Sequence, residues 1–205
     1  MRNQRLCSRQ KVIVNGATGF VGRHVVKKLA QNGYEVFALA RDLCKASSIS
    51  ELKNSTILHY DITKDNVKTP LPIDASFIHC AWGNVRDTHS LKHIEEELIN
   101  NYFTIKSIVE YGIKKILITG TCHEYGLQYG PLKPSTPTAP ITPYGIAKDT
   151  LHKLLRALQP QKHFELIWVR LFYMYGDGQN ENTILSLFDK ALENGDDVFN
   201  MSLGE

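Results

Sequence analysis

Tyr144 and Lys148 stand four residues apart in the run Pro143-Tyr-Gly-Ile-Ala-Lys148. Proline favours the first position of a helix, so the segment predicts a helix opening at Pro143, with phenol and ammonium on one face. A phenol near pKa 10 is a poor base at neutral pH, and a neighbouring ammonium favours its phenolate, which makes the pair a candidate for acid/base work. The offset alone is not selective, because five of the nine tyrosines have a lysine four residues on. Tyr60 ends a predicted strand ahead of Lys64, Tyr111 ends a predicted helix ahead of Lys115, and Pro131 separates Tyr129 from Lys133. Tyr102 and Lys106 fall on a predicted helix, but no hydroxyl-rich strand end leads into it. Tyr144 follows one: Ile118-Thr-Gly-Thr-Cys-His-Glu-Tyr-Gly126, where Thr121 offers a hydroxyl.

A second constellation lies near the start, in Lys11-Val-Ile-Val-Asn-Gly-Ala-Thr-Gly-Phe-Val-Gly22. Gly16, Gly19 and Gly22 recur at three-residue spacing between a predicted strand and a predicted helix. Gly16 allows a tight turn, Gly19 lets the main chain approach a pyrophosphate, and Gly22 allows close contact of helix and strand. The helix N-terminus supplies unpaired N–H groups to an anion. The alternative is a structural glycine-rich turn. A dinucleotide site usually carries an acid at the end of the second strand, where this chain has Ala40, then Arg41 and Asp42. A guanidinium there could pair with a 2'-phosphate and favours NADP, while Asp42 could serve NAD if the turn shifts; Arg41 could also be a solvated loop cation.

The elements that must position these residues alternate. Apolar runs at Val12–Val14, Glu35–Leu39, Thr56–Tyr60, Ala75–Cys80, Ile116–Thr119 and Leu166–Arg170 read as buried strands. Between them lie helical patterns: Val21, Val25 and Leu29, then about Leu91 to Tyr111, then about Pro143 to Leu158. Continuous apolar strands joined by helices predict an α/β fold with a doubly wound parallel sheet, whose ligands sit at the carboxyl ends of the strands. Pro131, Pro134, Pro137, Pro140 and Pro143 make 126–143 a long loop near that edge. After a last helical pattern at roughly Asn182 to Glu193, nothing follows to bury Val198, Phe199 and Leu203, so the expectation is that the C-terminal lobe is largely absent. The organisation expected is a basic tail at 1–10, a dinucleotide-binding domain at 11–176 and the start of a further region at 177–205.

Composition narrows the class. Of 205 residues 42% are apolar and 22% charged, as in ordinary globular proteins rather than disordered or collagenous ones. The net charge of +3 is scattered, so neither nucleic acid nor a membrane surface is called for. Cys7, Cys44, Cys80 and Cys122 are too far apart for a CxxC metal or redox motif, which excludes such a metal site and fits a reducing, cytoplasmic setting. No window approaches the ~20 apolar residues of a membrane span.

The order GATGFVG, HYDIT, FIHCAWG, TGTCHEYG, PYGIAK and VRLFYMYG resembles an extended short-chain dehydrogenase/reductase of the NAD-dependent epimerase/dehydratase kind, from Lys11 almost to the end. The resemblance implies roles. Tyr144 matches the general acid/base, Thr121 the hydroxyl that bonds the substrate oxygen, and Lys148 the holder of the nicotinamide ribose. Thr18, Phe20 and Val21 join the glycines at the cofactor, Asp61 and Ile62 match the adenine contact, and Ala81 and Trp82 match the wall beside the ribose. Asn101, or its neighbour Asn100, matches the family's helical asparagine, about one turn closer to Gly112 than expected. Arg170, Tyr175 and Gly176 match the start of the substrate lobe, or simply end a strand and turn. For Asp61 the other reading is a turn aspartate.

The family's 4,6-dehydratases carry an acid pair where this chain has Cys122 and His123, which disfavours dehydration. His123 could assist proton transfer or be an idle loop histidine, and Glu124 reads as a solvated carboxylate. What the resemblance implies is an NAD(P)-dependent oxidoreductase acting on a nucleotide sugar, as a 4-epimerase or, with Arg41 tilting toward NADP, a 4-keto reductase. The helices from Leu91 and Pro143 form the dimer bundle in similar proteins, which implies a homodimer. The alternatives are a reductase of a small non-sugar carbonyl compound and a non-catalytic cofactor-sensing protein.

Overall fold

A computed structural model describes residues 9–62 and 70–200; most of the basic tail, with Cys7, and Lys64 and Leu203 lie outside the described residues. The strands are β1 (Lys11–Asn15), β2 (Glu35–Ala40), β3 (Thr56–His59), β4 (Ser76–His79), β5 (Lys115–Thr121) and β6 (Glu165–Leu171). The α-helices are α1 (Phe20–Gln31), α2 (Leu43–Ser47), α3 (Leu98–Tyr111), α4 (Pro143–Lys162) and α5 (Ile184–Asn194). All five strand pairs are parallel, in the spatial order β3-β2-β1-β4-β5-β6. The chain starts at the centre, winds outward to β3, returns, and winds out the other way. That reversal between β1 and β4 opens a crevice at the carboxyl edge.

Both faces of the sheet are covered, and the pleat shows in the side chains. Ile13, Leu39, Phe77, Ile116 and Ile118 point into one core, which Ile105, Ile108 and Val109 of α3 and Leu151 and Leu155 of α4 complete. Their neighbours Val12, Val14, Val36, Ala38 and Ala40 point into the other, beneath Val26 of α1 and Ala46 of α2. The strands therefore read as unbroken apolar runs, because alternate residues serve two cores. Neither core is optional: a fully buried leucine such as Leu151 truncated to alanine costs about 2–5 kcal/mol.

Three local departures from the sequence expectation have physical reasons. The long helix expected from Leu91 starts as a π-helical turn, His93–Glu97, before α3 proper; Trp82 donates to the His93 ring, whose far nitrogen meets the Asp87 carbonyl, and these bonds hold the first turn open. Helix α4 runs through Pro160 to Lys162, where His163 takes a left-handed conformation. Asp42 caps the short helix α2 by accepting from the Lys45 N–H, an element the sequence periodicity did not signal.

Contact density divides the chain at Phe172/Tyr173. The second unit holds α5, whose cap Thr183 accepts from the Ser186 N–H, and a left-handed Gly195 ends it. Its Leu185, Phe188 and Leu192 are exposed. Among the described residues no helix is long and apolar enough to cross a membrane.

Candidate functional site

The glycine turn between β1 and α1 is built as its spacing suggests. Gly16 has φ +79°, and a Cβ there would meet the backbone of Cys80 and Ala81 in the adjoining strand end. A Cβ on Gly22 would meet the Gly16 carbonyl, so the first turn of α1 lies directly on the loop. Helix α1 starts with no side-chain cap and no acid in its first turn. The N–H groups of Phe20, Val21 and Gly22 therefore face outward with positive helix-end potential behind them. A pyrophosphate fits this cradle in charge, donor supply and space.

The cradle opens into a crevice of about 250 Å³, with Gly16, Thr18 and Gly19 on its floor and Arg41, Tyr60 and Ile62 at one end. Cys80, Ala81, Trp82, Gly83 and Glu97 form the other end. Arg41 is exposed at the rim, and Asp61 is half-buried between Tyr60 and Ile62. Asp42 is spent on its helix: the carboxylate accepts from the Lys45 N–H at 2.9 Å.

Lys148 and Tyr144 come together from the first turns of α4, which Pro143 opens and Thr142 caps through the Gly145 N–H. A Cβ on Gly145 would strike the His123 carbonyl, so α4 presses its first turn onto the 3₁₀ turn Cys122–Tyr125 that ends β5. Lys148 is fully buried; its ammonium donates to the Thr119 carbonyl at 2.8 Å and lies 4.0 Å over the Trp82 ring. Burial lowers its pKa to about 8, against the pull of Glu124, Cys80 and Glu97. Tyr144 sits among rings: Trp82 at 6.1 Å, His93 at 5.0 Å and His123 at 5.6 Å between centroids. Burial raises its phenol above the usual value, and a hydrogen bond with Thr121 opposes that. The ammonium expected to favour the phenolate is thus turned to Thr119 and Trp82, and in the chain alone the phenol is held protonated.

One other expectation changes. Glu124 is not solvated but completely buried. Its carboxylate accepts from the Thr121 N–H at 2.8 Å, from the Trp168 indole at 3.0 Å and from Arg170 at 2.6 Å. This anion and Arg170 lock the ends of β5 and β6 together, and Arg170 also reaches the Tyr125 hydroxyl. Gly120 is glycine because the Glu124 carboxylate and Trp168 indole fill the place of its side chain. His123 is partly buried with its pKa lowered, chiefly by burial and then by His89.

Asn101 lies beneath the crevice rather than on its wall. It is fully buried, pairs with His79 Nε2 at 2.6 Å, and donates back to Glu97; His79 meets Asn15 on its other nitrogen at 3.2 Å. Sequence reading missed Asn15, His79 and Glu97, since a lone polar residue in an apolar strand and one glutamate of the run Glu95-Glu-Glu97 carry no spacing signal.

A profile of the NAD dependent epimerase/dehydratase family matches residues 12–204. The chain is 33% identical over 203 residues to dTDP-6-deoxy-L-talose 4-dehydrogenase (NAD(+)) of Aggregatibacter actinomycetemcomitans, covering 95% of this chain and 72% of that one. It is 27% identical to UDP-glucose 4-epimerase of Halalkalibacterium halodurans, over 82% of this chain and 52% of the other, about half its length. In fold it is similar to UDP-glucuronic acid 4-epimerase of Bacillus cereus, with TM-score 0.76 at 19% identity over 91% of this chain and 64% of that one. UDP-glucose 4-epimerase of Thermotoga maritima gives TM-score 0.76 at 21% identity, over 96% and 67% respectively.

Proposed function

The chain belongs to the NAD-dependent epimerase/dehydratase family, and on that premise we propose that it is the dinucleotide-binding part of an oxidoreductase or epimerase acting at a carbon of a nucleotide sugar. The observation that carries the reading is the meeting of three features at one strand edge: the uncapped glycine cradle, the Trp82 wall, and the Thr121, Tyr144 and Lys148 group. The curated relatives above are named for a 4-dehydrogenase and a 4-epimerase, and both names point to redox chemistry at C4 of a sugar.

In this reading Gly16, Thr18, Gly19, Phe20, Val21 and Gly22 hold the pyrophosphate, Asp61 and Ile62 the adenine end, and Ala81 and Trp82 the ribose wall. Arg41, at the rim, donates to a 2'-phosphate, and Asp42 is committed to α2, which supports use of NADP beside the NAD of the named relative. Lys148 holds the nicotinamide ribose, and Asn101 acts from below through Glu97. A bound nicotinamide supplies the hydride donor or acceptor. Tyr144 moves the proton at the sugar oxygen, and Thr121 orients that oxygen. His123, edge-on to the Tyr144 ring, stands where the dehydratases carry an acid, which favours a 4-keto reductase or 4-epimerase over dehydration.

Residues 177–205 begin the substrate-binding region in this assignment. Ile99 and Phe103 of α3 and Ile146 and Leu154 of α4 are exposed, and they suit a homodimer through these helices; light scattering at micromolar concentration then gives twice the chain mass, and a monomer rejects that assembly.

The test is Tyr144→Phe. Turnover of UDP- or dTDP-hexoses with added dinucleotide is expected to vanish while dinucleotide affinity stays within about threefold; retained turnover refutes Tyr144 as acid/base.

A further inference from the structure

Glu97 presents a carboxylate to a crevice whose ligand, in the reading above, is itself anionic. A bare anion there repels the pyrophosphate, so its presence calls for a positive or hydrogen-bond-donating partner. The carboxylate does not swing freely. Its Oε2 accepts from the Gly83 N–H at 2.9 Å and from Asn101 Nδ2 at 3.2 Å, and Asn101 also donates to the Glu97 carbonyl at 2.7 Å.

Behind Asn101 the bonds run in one direction. Asn15 donates to His79 Nδ1, His79 Nε2 donates to Asn101 Oδ1, and the Asn101 amide donates to Glu97. His79 is wholly buried and neutral, its pKa brought down to about 4 by burial and then by Lys148. A buried chain in which each donor points at the next acceptor, ending on a carboxylate, strengthens each bond and holds that group as an acceptor. Gly83 fits the same design: a Cβ there would strike the Glu97 carboxylate. Oε1 is left without a hydrogen-bond partner among the described residues. The carboxylate stands at the Trp82 and Lys148 end of the crevice, away from Arg41.

We propose that Glu97 is a cofactor-discriminating residue, whose fixed carboxylate accepts from the sugar hydroxyls at the nicotinamide end and favours the oxidised, positively charged dinucleotide over the reduced, neutral-ringed one. The proposal rests on the dinucleotide reading of the crevice. It assigns Lys148 and Glu97 opposite effects: the ammonium disfavours the positive ring, and the carboxylate offsets it.

The experiment measures dissociation constants of oxidised and reduced dinucleotide by calorimetry for the 205-residue chain, with the couple, NAD or NADP, that the wild type binds more tightly. A unit charge several ångströms away in a protein-like dielectric is worth a decade or more, so Glu97→Gln is expected to weaken the oxidised form about tenfold and the reduced form less than threefold. Gly83→Ala, whose methyl takes the carboxylate's place while leaving its charge in the chain, is expected to shift the ratio in the same direction, and it decides the question if the glutamine variant does not fold. Equal weakening of both forms, or a ratio within twofold of wild type, overturns the role of Glu97 and leaves the dinucleotide reading standing. A wild-type chain that binds neither couple overturns both.

Discussion

Glu124→Gln should destabilise the first unit far more than a surface charge would. The carboxylate is completely buried, its partner's side chain is only 14% exposed, and three donors converge on it: the Thr121 N–H, the Trp168 indole and Arg170. Glutamine keeps the shape but has one acceptor oxygen. Turned toward Thr121 it sets an amide NH₂ against the guanidinium; turned toward Arg170 it keeps the Trp168 indole, which reaches both carboxylate oxygens at 3.0 Å, but sets that NH₂ against the Thr121 N–H. Breaking a buried pair on one side costs about 3–5 kcal/mol, and the partly open guanidinium places this site near the lower end, ~3 kcal/mol. For a chain of this size each kcal/mol moves the midpoint by about 2–4 °C, so a fall of roughly 6–12 °C is expected. Both tryptophans of the chain, Trp82 and Trp168, lie in this unit, so a fluorescence melt reports on it. Arg170→Met should cost a comparable amount, and the double variant should lose less than the sum, since it leaves no unpaired charge. A glutamine variant melting within about 2 °C of wild type, or strictly additive losses, would refute the argument.

Gly22→Ala forces a methyl against the Gly16 carbonyl, where both sides are backbone, and is expected to lower dinucleotide affinity at least tenfold by fluorescence titration with the sheet intact by circular dichroism. Arg41→Ala should weaken NADP about tenfold and leave NAD within twofold in parallel titrations; equal effects would make Arg41 a solvated cation. Folded Lys148 releases its proton near pH 8, below the ordinary 10.5. Between those values the unfolded chain binds more protons, so this group's contribution to stability rises with pH, while dinucleotide affinity, which in the proposed reading uses the ammonium, is expected to fall. Titrations from pH 7 to 10 should show that fall, and Lys148→Met should flatten it.

The parts of the molecule legible in the sequence are those that depend on local pattern. Val12, Val14, Val36 and Phe77 announce strands because parallel strands buried on both faces need unbroken apolar runs. Gly16, Gly19 and Gly22 announce the turn because backbone contact forbids a Cβ at two of them. Pro143 and the strand end at Thr121 announce a helix that carries Tyr144 and Lys148 in its first turns against the end of β5. What depended on distant partners was not legible. Glu124 is 46 residues from Arg170 and 44 from Trp168, so nothing nearby marked it as buried. His79 and Asn101 meet across 22 residues, and Glu97 becomes meaningful only once the π-helical turn aims it at Gly83. The direction of Lys148 was missed for a related reason: helical spacing places two side chains on one face but does not say that one of them bonds the Thr119 carbonyl.

The central claim is that the phenol at 144 and the ammonium at 148 flank the reactive end of a bound dinucleotide. A crystal structure of the chain with that cofactor tests it most directly. The expected density places the Tyr144 hydroxyl and Lys148 Nζ within about 3 Å of the nicotinamide-side ribose, the ring beside Trp82 and the phosphates on the Phe20–Gly22 amides. A cofactor bound elsewhere, or one seated in the cradle with Tyr144 turned away from its ring, would contradict it.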